Sequence, residues 1–154
     1  MEDIVLVKPD VSYIPFMQEL VEEDVKNGNI LERSSNEMAT TIRSYVVAKK
    51  ADQIIGFAAL HIHTIDLAEI RSLIVHKDYR GQSVGKKLID FTIQEGKDLK
   101  LKKLLVLTYK QKLFESLGFE EISKESIPET KIWADCIKCK HFPICDEVSL
   151  TLDI

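Results

Sequence analysis

The stretch "DYRGQSVGKKLI", Asp78–Ile89, decides how the rest of the chain is interpreted. It places a basic residue, Arg80, and two glycines four positions apart, Gly81 and Gly85, where an amphipathic segment begins. Glycine allows a tight turn and a close approach of the backbone to a bound group. The first turn of a helix also leaves N–H groups without intrahelical partners. The stretch therefore predicts a turn into a helix whose start can bind an anion such as a pyrophosphate.

The two glycines also fit a purely structural turn that allows close packing of the helix on a sheet. The stretch lacks the GKS/T of a nucleoside-triphosphatase phosphate loop and does not match the GxGxxG of a dinucleotide site. The glycines alone do not distinguish an anion site from a structural turn, so the neighbouring segments must be considered as well.

Strand-forming and helical segments alternate on both sides of this corner. The expected strands are "DIVLVKP", "SYVVAKK", "QIIGFAALHIH", "AEIRSLIVH", "KKLLVLTY", "FEEIS" and "EVSLTLDI". The expected helices are Ser12 to Lys26, a short one capped by Ser34 or Ser35, Val84 to Lys97, and "KQKLFESLGF". This order predicts an α/β protein in which a mixed sheet is layered by helices. In the fourth strand, alternation would place Glu69, Arg71 and Leu73 on one face.

The bulk properties fit one soluble, cytoplasmic domain. The chain has 154 residues, a formal net charge of −4 and lysines interleaved with acidic residues, which argues against nucleic acid as a partner. The start, "MEDIVLVKPD", does not resemble a signal peptide, and we find no apolar run long enough to span a bilayer.

The corner resembles the GNAT acetyltransferase superfamily, in which a Q/R-x-x-G-x-G/A turn after the fourth strand holds the pyrophosphate of acetyl-CoA. The matching residues are Arg80-Gly81-Gln82-Ser83-Val84-Gly85. Ser83 replaces the middle glycine, which a serine with φ below zero can do. "LFESLGF" is similar to the closing helix and strand of the family, and the element order matches over nearly the whole chain.

The resemblance implies a single GNAT domain over residues 1–154, with about seven mostly antiparallel strands, about four helices, and a splay between the fourth and fifth strands. Acetyl-CoA would be the cosubstrate, its pantetheine arm paired with the backbone of Leu73, Ile74 and Val75. The residues implied for its pyrophosphate are Arg80, Gly81, Gln82, Ser83, Val84, Gly85 and Lys86.

The same resemblance implies catalytic roles around the splay. A backbone N–H near Ile74 would stabilise the oxyanion. Glu69 is the first candidate for the base that deprotonates the amine, with His61 and His63 as alternatives. Tyr109, at the end of the fifth strand, is the nearest hydroxyl that could protonate the departing thiolate.

Several stretches are similar to the short, single-domain N-acetylglutamate synthases: "LERS", "AEIRSLIVHKDYRG", "LLVLTY" and "IPETKIWADCIKCKHFPICDE". This likeness implies glutamate as the acceptor, with Arg33 and Arg71 binding its two carboxylates. Another small or protein amine, or a non-catalytic acetyl-CoA sensor, stays open, as does a homodimer.

Three cysteines and a histidine lie together in the loop 133–146, before the last strand: Cys136, Cys139, His141 and Cys145. They could form a tetrahedral zinc site. Because the spacing is tight and provides one close pair, we expect reduced structural thiols and no metal.

Overall fold

The computed structural model describes residues 3–28, 30, 32–123, 126 and 148–154. Within these ranges seven strands form one sheet: β1 (Ile4–Val7), β2 (Tyr45–Lys50), β3 (Gln53–Ile62), β4 (Leu67–Val75), β5 (Lys103–Thr108), β6 (Glu120–Ile122) and β7 (Val148–Asp153). The helices are α1 (Ile14–Lys26), α2 (Ser35–Thr40), α3 (Val84–Asp98) and α4 (Gln111–Ser116). Short 3₁₀ turns lie at Val11–Tyr13, Ile42–Ser44 and Lys77–Tyr79.

The helix boundaries follow local signals in the sequence. Ser34 caps α2, where its hydroxyl accepts from the N–H of Glu37 at 3.1 Å. Pro15 lies in the first turn of α1, where its missing N–H costs nothing. Gly118, with φ +98°, follows α4 and provides the left-handed residue that commonly ends a helix. None of the described helices has the length and apolar character needed to cross a bilayer.

The strands are arranged in the order β1-β2-β3-β4-β5-β7-β6. The pairings are antiparallel except that of β4 with β5, which is parallel and follows the crossover through α3. The predicted mixed, mostly antiparallel sheet of seven strands is therefore confirmed.

The predicted splay between β4 and β5 is also confirmed. The two strands pair only from Leu67–Glu69 with Lys103–Leu105. Beyond Glu69, β4 continues to Val75 along β3, whereas β5 continues to Thr108 along β7. The carboxyl ends of two parallel strands thus diverge and leave a cleft, the usual place for a ligand in a sheet of this kind.

A bulge in β4 changes which side chains share a face. Ser72 has φ +59°, and the register with β3 shifts between Ile74, opposite Phe57, and Arg71, opposite Ala59. An extra residue in one strand resets the alternation. The prediction that Leu73 shares a face with Glu69 and Arg71 is therefore wrong.

The core clusters confirm this reassignment. Ile74 packs with Tyr45 and Phe57 on the face covered by α1 and α2. Leu73 packs instead against the clusters that contain Leu88 and Ile89 of α3.

Gly56 lets β3 lie close to the end of β4. A Cβ at this position would lie 2.8 Å from the carbonyl oxygen of Ile74 and 3.3 Å from the Leu88 side chain. Any larger residue would therefore push β3 away from the part of β4 that borders the cleft.

Candidate functional site

The glycine corner lies directly beyond β4. Arg80 turns back toward the strand, and its Nε donates to the carbonyl oxygen of Val75 at 3.3 Å. Residues 80–83 are exposed, whereas Val84, the first residue of α3, is buried, so an exposed turn leads into the helix. The N–H groups and the positive end of the helix dipole give this corner an affinity for anions.

The backbone at Ser83 differs from the expectation of a negative φ. Ser83 has φ +63° and ψ 20°, in the left-handed region, and it is the N-cap of α3. Gly81 also has a positive φ, +82°, whereas Gly85 does not. A non-glycine residue in this region is strained by roughly 1–2 kcal/mol. Ser83 therefore has the left-handed backbone conformation that a glycine would adopt more easily at this position.

At the end of β4, successive residues direct their backbone N–H and C=O groups alternately toward β3 and toward the cleft. The sequence did not show which residues face the cleft. His76 N–H donates to the carbonyl oxygen of Ile55 at 2.7 Å, so this is a hydrogen-bonded pair of the antiparallel ladder. Such pairs alternate with non-hydrogen-bonded ones. The adjacent pair, Gly56 with Val75, is then non-hydrogen-bonded, and Val75 directs its N–H and C=O toward the cleft. The contact from Arg80 to the Val75 oxygen agrees with this direction.

The same alternation turns the N–H of Ile74 toward Phe57, its partner on β3. Ile74 is therefore not the residue whose N–H is available at the cleft. Because a strand directs successive N–H groups to opposite sides, the N–H of Val75 is the one directed toward the cleft, and the oxyanion donor near Ile74 stays a prediction.

A cavity of about 920 Å³ lies beside the end of β4. Its walls include Ile74, Val75 and Arg80, and also Leu20 and Asp24 of α1. The structure thus brings part of the predicted cofactor-binding set to one cavity, whereas the Leu73 side chain packs on the α3 side of the sheet.

Lys110 adds a second cation at this end of the cleft. It lies two residues beyond the end of β5 and is the N-cap residue of α4. Partial burial lowers the pKa of its ammonium group, the positive charge of Arg80 lowers it further, and the carboxylate of Asp24 opposes both effects. Sequence analysis missed Lys110, although its position after β5, opposite the glycine corner, was a usable signal.

A second cavity, of about 740 Å³, lies between α1 and the sheet. Arg33, Tyr45, Phe57 and Ser72 are among its lining residues. The bulge at Ser72 thus forms part of its wall. Residues from a loop, two neighbouring strands and the bulge meet here, although they are far apart in the sequence.

The Tyr45 hydroxyl is under the influence of both arginines that were predicted to bind substrate, Arg33 and Arg71. Its side chain is buried, and burial raises the pKa of the hydroxyl, while the charges of Arg33 and Arg71 both lower it. The hydroxyl is also hydrogen bonded to Thr41. Both guanidinium groups are therefore near enough to the Tyr45 hydroxyl to act on it. Sequence analysis missed Tyr45, because its place between the arginines depends on the pairing of β2 with β3.

The structure brings the three candidate bases together. Glu69 is 2% exposed and lies at the last paired position before β4 and β5 diverge. Its Oε1 is 2.9 Å from Nε2 of His63, and both side chains are 3% exposed. His61 is opposite Glu69 on β3, and its ring makes an edge contact with His63, with centroids 4.8 Å apart.

The remaining candidates lie apart from this group or outside the described residues. Tyr109 follows the end of β5 and is 46% exposed. Cys136, Cys139, His141 and Cys145 lie outside the described residues, so the expectation of reduced thiols stays a prediction.

Similar proteins identify the family. Residues 41–121, more than half of the 154-residue chain, match the acetyltransferase (GNAT) domain family. A protein from Chlorobaculum tepidum, described as an uncharacterized N-acetyltransferase, is 35% identical over 123 residues, which cover 80% of this chain and 79% of the relative. An amino-acid acetyltransferase from Mycobacterium tuberculosis is 32% identical over 123 residues, which cover 77% of this chain and 68% of the relative.

The fold agrees with this relationship. The chain is similar to N-acetylglutamate synthase from Neisseria gonorrhoeae, crystallised with coenzyme A and N-acetyl-glutamate, with a TM-score of 0.86 and 19% identity. The match covers 99% of this chain and 35% of that protein, and it establishes the fold alone. From the domain match and the two relatives, the chain belongs to the GNAT family and is an acetyl-CoA-dependent N-acetyltransferase.

Proposed function

We propose that this chain transfers the acetyl group of acetyl-CoA to the α-amino group of L-glutamate, as an N-acetylglutamate synthase. The observation that carries this proposal is the second cavity, which Arg33 and Tyr45 line, together with the charges of Arg33 and Arg71, which both lower the pKa of the Tyr45 hydroxyl. Glutamate has two carboxylates, and guanidinium binds carboxylate through two parallel hydrogen bonds. A cavity of about 740 Å³, lined by Arg33 and Tyr45, is large enough for a small amino acid.

The similar proteins support the same acceptor class. The Mycobacterium tuberculosis relative is an amino-acid acetyltransferase, and the Neisseria gonorrhoeae structure contains N-acetyl-glutamate beside coenzyme A. In this chain, burial raises the pKa of the Tyr45 hydroxyl further above neutral pH, so the hydroxyl stays protonated. It would therefore donate a hydrogen bond to an acceptor carboxylate held between the two arginines.

On the donor side, the exposed start of α3 fits a pyrophosphate. Arg80 from the end of β4 and Lys110 from the end of β5 would place one cation on each side of it. The N–H of Val75, directed toward the cleft, would donate to a carbonyl oxygen of the pantetheine arm or to the thioester oxygen. Its C=O would accept from an amide N–H of the arm. Acetyl-CoA supplies the activated acetyl group, and the chain supplies position and charge.

The reaction then follows from the order of groups along β4. Glu69 takes one proton from the acceptor ammonium, because only the neutral amine has a lone pair for attack. The amine nitrogen bonds to the thioester carbon, and the N–H of Val75 stabilises the negative charge that develops on the carbonyl oxygen. Breaking the C–S bond releases the thiolate, which takes a proton from the hydroxyl of Tyr109, the proposed donor. The second proton lost by the nitrogen then restores this hydroxyl. Glu69 returns its proton to solvent.

The deciding experiment measures release of the CoA thiol with glutamate, glutamine, aspartate and spermidine. Glutamate should give the highest kcat/KM, and glutamine should be poorer because it lacks the side-chain charge. Arg33→Ala and Arg71→Ala should each lower kcat/KM for glutamate about ten- to a hundredfold, the scale of one charge-assisted pair. The gap between glutamate and glutamine should shrink in the variant that has lost the side-chain contact.

Arg43→Ala is the matched control, since Arg43 is an exposed arginine in the neighbouring 3₁₀ turn. This variant should keep the activity of the parent. Equal rates with glutamate, glutamine and spermidine would eliminate the glutamate assignment and leave acetyl transfer to another amine.

A further inference from the structure

A buried histidine contacts the carboxylate to which the proposed mechanism assigns deprotonation. His63 and Glu69 are six residues apart, and the turn between β3 and β4 brings them together. The backbone N–H of His63 donates to the carbonyl oxygen of Leu67 at 2.9 Å, and this hydrogen bond fixes the first residue of the turn. The imidazole then reaches Oε1 of Glu69 at 2.9 Å, with both side chains 3% exposed.

Burial makes this contact important for the chemistry. A carboxylate that has lost water needs hydrogen-bond donors to stay ionised, and an ionised carboxylate is the form that can accept a proton. An imidazole with its proton on Nε2 donates to Oε1 without adding a charge. The charged and titratable neighbours of Glu69 within the sheet are His61 opposite it, His63, and Arg71 two residues along β4, whereas its β5 partner is the apolar Leu105.

The contact also fixes where the carboxylate lies. Glu69 occupies the last paired position of β4 and β5, so its backbone is held on both sides just before the cleft opens. The hydrogen bond between the His63 imidazole and Oε1 of Glu69 restrains rotation of the Glu69 side chain. A base that is displaced by about an ångström loses much of its effect, because proton transfer requires hydrogen-bond distance.

We propose that His63 is the positioning residue of the deprotonation step: its imidazole N–H keeps the Glu69 carboxylate ionised and oriented toward the acceptor amine. The proton passes from the ammonium nitrogen to the carboxylate of Glu69, and from there to solvent after transfer. This inference rests on the proposed role of Glu69, and it replaces the alternative in which His63 is itself the base.

The test compares His63→Leu with His63→Gln in steady-state kinetics. His63→Leu removes the donor, and kcat should fall about ten- to a hundredfold, the scale for a hydrogen bond to a charged group. The KM for acetyl-CoA should change less than about threefold, since the corner is untouched. His63→Gln keeps a side-chain N–H, and it should recover most of the lost kcat.

Two further variants separate positioning from general damage. Adding His63→Leu to Glu69→Gln should cause little further loss, because residues that act through one group are not additive. Thr64→Ala is the matched control for the turn, since the exposed Thr64 hydroxyl accepts from the N–H groups of Asp66 and Leu67 and does not touch the carboxylate. It should keep kcat within about threefold.

A parental kcat in His63→Leu, or equal loss in the leucine and glutamine variants, would overturn the inference. A full additional loss in the double variant would also overturn it. If His63→Leu does not fold, the glutamine variant combined with Glu69→Gln still decides, because a retained donor predicts no further loss. All rates are measured with the amine that the parent enzyme acetylates fastest. If that amine is not glutamate, the proposed acceptor is wrong, and the test of His63 still applies.

Discussion

The two sides of the cleft are built in different ways. The proposed donor side is a contiguous stretch, Arg80 to Lys86, in which an exposed turn leads into the start of α3. The proposed acceptor side consists of buried side chains, such as Tyr45 and Glu69, that come from separate strands. A site formed by backbone groups depends on the conformation of one short segment. A site formed by side chains from several strands depends on the packing of the whole sheet.

This difference predicts that mutations on the two sides have separable effects. Changes on the donor side should alter affinity for acetyl-CoA, and changes on the acceptor side should alter turnover or acceptor choice. Glu69→Gln and Gly85→Asp test this separation, and Ser83→Gly and Tyr45→Phe test how each side contributes to stability.

The largest effect is expected for Glu69→Gln. The amide cannot accept the ammonium proton, so kcat should fall about 10²–10⁴-fold, while acetyl-CoA affinity measured by calorimetry stays close to that of the parent. Glu120→Gln, on the exposed side of β6, is the control and should retain activity. An unchanged kcat in Glu69→Gln would transfer deprotonation to His61, His63 or water.

Gly85→Asp should produce the opposite pattern. A carboxylate in the first turn of α3 would repel the pyrophosphate, and CoA affinity should fall on the order of a hundredfold by calorimetry. Gly85→Ala is the control, because a Cβ there would meet only the Val75 side chain, at 3.7 Å. Unchanged CoA affinity in Gly85→Asp would make the corner structural only.

Ser83→Gly tests the strain on the donor side. Glycine adopts φ +63° without a Cβ clash, so the free energy of unfolding should rise by about 1 kcal/mol. Urea unfolding measures this change. Gln82→Gly should instead lower stability, because Gln82 lies outside the left-handed region and glycine adds freedom to the unfolded chain. A loss of stability in Ser83→Gly would show that the serine side chain contributes more than the strain costs.

The smallest effect is the pH dependence that Tyr45 confers. Burial raises the pKa of Tyr45, so the folded state holds the hydroxyl proton more tightly than the unfolded chain does. The free energy of unfolding should therefore decrease as the pH rises above the ordinary tyrosine pKa of about 10. In Tyr45→Phe this decrease should be smaller, as measured by urea unfolding at several alkaline pH values. Identical slopes in the two proteins would contradict the raised pKa.

The sequence alone predicted most of what depends on neighbouring residues. The strand runs, a cap of α2 at Ser34 or Ser35 and the glycine corner before α3 are local signals, and the structure has the strands, the Ser34 cap and the turn before α3. The positive φ of Ser83 was not predicted. The resemblance to the GNAT family added the splay and the candidate base Glu69. Local signals are reliable here because the conformation of a short segment depends mainly on its own residues.

Tertiary structure decided which side chains and N–H groups meet. The Ser72 bulge moved Leu73 to the other face of β4, and ladder alternation made Val75, in place of Ile74, the residue whose N–H faces the cleft. Pairing of the strands placed Tyr45 near both arginines and His63 against Glu69. A single extra residue reverses the faces of a strand, and contacts between distant segments depend on register, which the alternation of residue types does not encode.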